Sequence, residues 1–293
     1  MRIVFMGTPA FAVASLERLA ADGHEILAVI CQPDKPVGRK KILTAPEVKT
    51  AALAIGLPIV QPASLRENAE VSAYLQRLSP DLIAVVAYGK LLPLEILDLP
   101  AYGCVNVHGS LLPKYRGAAP IQRAILNGET VTGVTTMLLN AGMDTGDMLM
   151  QREYRIPSDM TAGELFEVLA PIGADLLSET VTALQDGTLN PMPQDEAEAT
   201  YAPMLSKADA PLDFSRPAQA LHNQVRGLQP WPGAIAVLGG KNCKVIKTRI
   251  AADTTDGALV LPCGNGTFLE IGTIQPEGKA PMSGAAFKNG YLR

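Results

Sequence analysis

The chain has 293 residues, 47% of them hydrophobic and 18% charged, and a formal net charge of −4. That length allows two domains with sizeable cores, and the composition suits a folded α/β protein with no low-complexity tract or internal repeat. The longest apolar runs fall short of the ~20 residues that span a bilayer. The opening MRIVFMGTPAFAV reads as a strand and turn, not a secretory leader, so no membrane partner and a cytoplasmic location are expected.

Residues 3–6 are a short apolar run ending in Gly7-Thr8-Pro9, and a helix is predicted from there to residue 21. Further apolar runs follow at 26–31, 59–60, 82–87 and 104–108, with helical patterns at 46–54 and 67–78. Apolar strands alternating with helices predict an α/β fold with a parallel sheet covered on both faces. Two more strands are expected at 131–139 and 148–156. A long helical pattern then closes at Gly187 and holds Pro171, which should kink or interrupt it.

At 190–206, proline, alanine and acidic residues replace the apolar periodicity, which suggests a linker between a domain at 1–189 and another at 207–293. The second region offers a helix near 216–226 and short strands with frequent glycine, the pattern of a small β-barrel. Charge divides with the domains. Residues 1–206 carry 15 basic and 23 acidic side chains, residues 207–293 carry 10 and 6, net −8 and +4. A basic second domain hints at a polyanionic partner, although ordinary surface variation gives such differences more often.

The four cysteines form no CxxC pair and the three histidines have no zinc spacing, so no metal is expected. The turn GTPAFA lacks both GxGxxG and Walker spacing, which leaves nicotinamide and ATP binding without support.

The chemistry concentrates in NVHGSLLPKYRGAAPIQ, residues 106–122. Asn106 and His108 stand two apart on a strand and therefore face the same side, at the carboxyl end where open α/β sheets bind ligands. A carboxamide can steady an oxyanion, and an imidazole can exchange protons near neutrality. Downstream, NAGMDTGDML places Asp144 in a glycine-flanked loop where it could orient His108; Asp147 is an alternative on these grounds alone.

Together with GVTTMLLNAGMDTGDML, the first motif resembles the signature of the transferases that use 10-formyltetrahydrofolate. The segments FMGTPAFAV, QPDKPVGRKK, SPDLIAVVAYGKLLP, NPMPQDEAEATYAPML and LSKADAPLDF extend the likeness to the branch that formylates methionyl initiator tRNA. That resemblance implies an α/β first domain with a doubly wound, mostly parallel, Rossmann-like sheet, a small OB-like β-barrel as the second domain, and a catalytic set of Asn106, His108 and Asp144. It implies a folate loop of Ser110, Leu111, Leu112 and Pro113, with Tyr88, Leu91 and Leu92 as further folate contacts. Asn140 departs from the family, where an acid is frequent.

The loop DKPVGRKKILTAPEVK gathers Lys35, Arg39, Lys40, Lys41 and Lys49. As a bare charge run it would be a solvated loop. The resemblance instead implies that Arg39, Lys40 and Lys41 grip the tRNA acceptor stem. Lys207, Arg226, Lys241, Lys244, Lys247 and Arg249 are candidates for a second, non-specific contact. A monomer is expected, taking 10-formyltetrahydrofolate as formyl donor. Two other readings remain open: formylation of an amino sugar nucleotide, and a non-catalytic folate- or RNA-binding module.

Overall fold

The computed structural model describes residues 1–38, 40–254 and 257–292. The chain opens with β1 (Arg2–Gly7), α1 (Val13–Ala21), β2 (Glu25–Ile30), a hairpin of β3 (Lys35–Val37) and β4 (Ile42–Thr44), α2 (Glu47–Ala54) and β5 (Ile59–Val60). It continues with α3 (Ala69–Leu78), β6 (Leu82–Val86), α4 (Leu94–Leu97), β7 (Cys104–His108), α5 (Pro120–Leu126), β8 (Val131–Leu138), β9 (Met148–Arg155) and α6 (Ala162–Gln185). Two units result. One comprises Met1–Ala118, Gly133–Tyr154 and Phe166–Tyr201; the other comprises Ala119–Thr132, Arg155–Leu165 and Ala202–Arg293.

The first unit is built on seven strands in the order β5-β2-β1-β6-β7-β8-β9. The five from β5 to β7 are parallel, and β8 runs antiparallel to β7. Alternation along the strands sends Val4, Met6, Ile83 and Val85 to one face, where they meet Val71 and Leu75 of α3 and Ile96 and Leu97 of α4. On the other face α6 lies so close to β7 that a Cβ on Gly173 would meet Val107 Cγ1 at 2.9 Å. There α1 is tied to α6 by Ser178 Oγ, which donates to Asp22 Oδ2 at 2.6 Å. Burial on both faces explains why the central strands are apolar throughout. The chain steps outward from β1 to β2 and β5, then returns to β6 on the other side of β1, which makes the carboxyl ends of β1 and β6 the switch point where such sheets take ligands.

Helix α6 runs through Pro171 without a break, contrary to the interruption expected from the sequence. Its buried Leu169, Ala174, Leu177 and Val181 supply packing that offsets the missing amide hydrogen.

The second unit holds α5, α7 (Ala218–Gly227), β10 (Ala234–Leu238), β11 (Lys241–Ala251), β12 (Val260–Cys263), β13 (Thr267–Pro276), β14 (Met282–Ser283) and α8 (Gly284–Tyr291). Its sheet is antiparallel, in the order β10-β11-β13-β12 with β14 also on β13. Register shifts between Val245 and Thr248 mark an irregularity in long β11 of the kind that bends a strand. The expected small barrel is thus a half-barrel, filled by Val225, Ala234, Val245, Ile271, Ile274 and Phe287. Among the described residues no helix is long and apolar enough to cross a membrane.

Candidate active site

Strand β7 is buried along its whole length, and its last turn of alternation puts Asn106 and His108 on one face. Both are nearly enclosed, at 9% and 6% exposure. Among the described residues the Asn106 carboxamide has no protein hydrogen bond, so its two N–H donors remain available. Its backbone pairs with Val85 of β6 on one side and Met137 of β8 on the other, which holds it rigidly.

His108 is held from both sides. Its Nε2 lies 2.9 Å from the Tyr115 carbonyl oxygen. A carbonyl only accepts, so Nε2 carries hydrogen and Nδ1 is the ring position whose proton can come and go. Asp144 Oδ2 stands 3.8 Å from that Nδ1, beyond a direct hydrogen bond. The same Oδ2 accepts the Gly117 N–H at 2.8 Å. Of the two acids left open by the local sequence, the structure brings Asp144 to the imidazole.

The loop after β7 closes on itself. Ser110 is fully buried and its Oγ donates to the Lys114 carbonyl at 2.7 Å. Thr135 Oγ1 donates to the Ser110 carbonyl at 2.7 Å and accepts the Leu112 N–H at 3.1 Å. Of the expected folate residues, Leu112, Tyr88 and Leu92 are buried, whereas Leu111 and Pro113 are half-buried and Leu91 is exposed. Burial pushes the Tyr88 phenol up to about 12, helped by nearby Cys31. Its carbonyl accepts from Thr8 Oγ1 and Gln32 Nε2, each at 3.2 Å, so the Gly-Thr-Pro turn stitches the ends of β1, β2 and β6 together.

The Asp144 loop is shaped by Asn140, whose Oδ1 accepts from Gly142 N–H and Thr145 Oγ1, both at 2.9 Å. The departure from the acidic residue is therefore conservative in the sense that matters, because only an acceptor oxygen is used.

Of the expected tRNA contacts, Arg39 lies outside the described residues, while Lys40 and Lys41 are exposed at the tip of the β3–β4 hairpin. Lys49 is not part of that tip. It donates to both oxygens of Asp34 at 2.9 Å, and Gln61 Nε2 adds a bond to Asp34 Oδ1 at 2.8 Å. The Gln61 hydrogen bond first, and Lys49 next, hold the Asp34 carboxyl below its ordinary range. In the second unit Arg226 is buried and donates to Asn223 Oδ1 at 2.9 Å and to the Met160 carbonyl, which removes it from the candidate RNA contacts. Arg249 pairs with Glu270, whereas Lys207 and Lys247 are exposed.

Sequence reading missed the residues that brace this site. Arg116 is fully buried, its NH1 and NH2 on Glu196 at 2.9 and 2.8 Å and its Nε on Gln194 Oε1 at 3.0 Å. Thr200 Oγ1 accepts the Tyr115 N–H at 2.8 Å. These partners come from the segment expected to be a plain linker; the one signal was that its motif had no assigned task. Among the described residues no three metal-binding side chains gather.

A mostly parallel sheet with a switch point, carrying an available carboxamide beside an imidazole–carboxylate pair, defines a site suited to acyl-type group transfer. Comparison with known proteins places it further. The formyl transferase family matches residues 1–181 and its C-terminal domain matches residues 204–292, and the chain belongs to that family. Methionyl-tRNA formyltransferase of Acidobacterium capsulatum is 50% identical over 300 residues, covering 99% of this chain and 96% of that one. The enzyme of the same name from Moorella thermoacetica is 47% identical over 302 residues, with the same coverage. Among solved structures, the sugar 3N-formyl transferase WlaRD superposes with a TM-score of 0.70 at 19% identity, over 96% of this chain and 99% of that one. HypX from Aquifex aeolicus in complex with tetrahydrofolic acid gives 0.67 at 16% identity, over all of this chain and 48% of its own. At such identities the structures share the fold.

Proposed function

We propose that this chain moves the formyl group of 10-formyltetrahydrofolate to the α-amine of methionyl initiator tRNA in the cytoplasm, acting as a monomer. The observation that carries the reading is the Asn106 carboxamide, without a hydrogen-bond partner among the described residues, beside the His108–Asp144 pair at the carboxyl end of β7. In the domain plan that goes with it, residues 1–189 perform the transfer, 190–206 connect, and 207–293 hold RNA.

The residues present fit the folate donor. Leu91 is exposed beside a backbone stretch in which Ala87 and Gly89 have positive φ and Gly89 faces open space. Apolar side chains and unencumbered main chain suit a flat heterocycle. With Leu111 and Pro113 they would hold the pterin, and the donor supplies an activated formyl carbon.

Asn106 donates to the formyl oxygen as negative charge grows on it during attack by the methionyl amine. His108 takes the amine proton at Nδ1, since Nε2 is committed to the Tyr115 carbonyl. Asp144 balances the imidazolium, which then returns a proton to the departing nitrogen. Lys40 and Lys41 at the hairpin tip grip the acceptor stem through phosphates, and Arg39 is assigned the same role on the family likeness alone.

The test offers 10-formyltetrahydrofolate with charged initiator tRNA, charged elongator tRNA or amino sugar nucleotides in separate reactions. Formyl transfer selective for methionyl initiator tRNA is expected. Transfer to the sugar nucleotide alone would replace this reading, and binding without transfer in every reaction would remove it.

A further inference from the structure

Three consecutive residues after the folate loop each do a separate task. The Tyr115 carbonyl holds His108 Nε2, the Arg116 side chain turns inward, and the Gly117 N–H holds Asp144 Oδ2. What Arg116 reaches is Gln194, whose Nε2 donates to two carbonyls of the Asp144 loop, that of Asp144 at 2.8 Å and that of Gly146 at 2.7 Å. Both carboxamide hydrogens are thereby spent on the backbone that carries the catalytic carboxylate, and the remaining oxygen is spent on Arg116 Nε. This fixes which way the amide faces. If it turned over, its oxygen would oppose two carbonyl oxygens and its nitrogen would oppose a guanidinium.

The loop needs such a clamp. Asp144 has a φ of 54°, the left-handed region that aspartate tolerates but does not favour. Asn140, Gly142 and Thr145 shape the start of the loop, and the Leu138 N–H reaches the Asp147 carbonyl at 2.9 Å at its end; the Asp144 and Gly146 carbonyls in between are the ones that Gln194 holds. Arg116 is itself locked by a two-pronged pair with Glu196, which raises the guanidinium and lowers the carboxyl from their ordinary values, the hydrogen bond being the larger cause in both.

We infer that Gln194 is a positioning residue: through the Asp144 and Gly146 carbonyls it sets the distance between the Asp144 carboxylate and His108, with Arg116 and Glu196 as its lock. This rests on Asp144 acting in the transfer. It gives the motif NPMPQDEAEATYAPML a task beyond joining two domains.

The test is a coupling experiment in the full chain with both substrates. Gln194→Glu keeps the acceptor for Arg116 and the side-chain size but loses both donors, so it guards against the case in which Gln194→Ala fails to fold. Either variant should lower kcat about 10–100-fold, the scale of a misplaced catalytic group, with KM for both substrates within about twofold. In an Asp144→Asn background Gln194→Glu should add less than about twofold, because its effect runs through a carboxylate already gone. A near-normal kcat for Gln194→Glu, or a full additive loss on top of Asp144→Asn, overturns the inference alone. A normal kcat for Asp144→Asn overturns the catalytic reading of Asp144 and the inference with it.

Discussion

At the scale of single residues, the proposed transfer turns on Nδ1 of His108. Nε2 is committed to a carbonyl, so only Nδ1 can change its proton, and Asp144 faces it at 3.8 Å. Asp144→Asn keeps the shape and an acceptor for Gly117 but removes the charge. Its single-turnover formyl transfer should fall about 10²–10⁴-fold with the melting temperature little changed. Asn106→Ala should cost about 10²–10³-fold in the same assay, and a rate within a few-fold of the parent would remove its oxyanion role. The shared face of Asn106 and His108 was legible, because residues two apart at the end of an apolar strand point the same way. Asp144 needed the family likeness to separate it from Asp147. Gln194 was not legible at all: it acts on a loop 50 residues away, and nothing local marks a glutamine whose partners are distant carbonyls.

Among the elements, the central strands and most helices could be read in advance because burial on both faces writes itself as unbroken apolar runs. The β3–β4 hairpin could not. All three residues of each strand are exposed, so no pattern of inside and outside exists to announce them. Helix α8 escaped for the opposite reason: Gly284 and Gly290 make GAAFKNGY a poor helix former, and the packing of fully buried Phe287 overrides that preference. Exposed Lys40 and Lys41 at the hairpin tip give a prediction of their own. Replacing either with alanine should raise KM for tRNA and lower the dependence of tRNA binding on log salt by about one, leaving KM for the folate donor unchanged. Equal effects on both substrates would place the hairpin elsewhere in the reaction. In the Asp144 loop, a Cβ on Gly146 would lie 1.8 Å from the Leu138 carbonyl oxygen, so Gly146→Ala must displace backbone. It should cost about 1–3 kcal/mol in denaturant unfolding and disturb transfer as well.

Across the whole molecule, stability near neutral pH should depend on a buried histidine of the second unit. His222 of α7 bonds Thr248 Oγ1 through Nδ1 at 2.9 Å, and burial, the larger cause, holds it below an ordinary imidazole although Asp159 and Ser158 oppose the shift. The unfolded chain therefore takes up a proton that the folded chain refuses, and stability should fall as pH drops below about 6.5 toward the folded value. His222→Gln should flatten that slope in melts between about pH 7 and 5; an unchanged slope would assign it to other groups. The account as a whole is tested most directly by the product itself. After incubation of the wild-type chain with 10-formyltetrahydrofolate and methionyl initiator tRNA, the amino acid released from the tRNA should be formylmethionine, formed far more slowly by Asp144→Asn. Unmodified methionine from the wild-type reaction, or equal formylation by the variant, would contradict it.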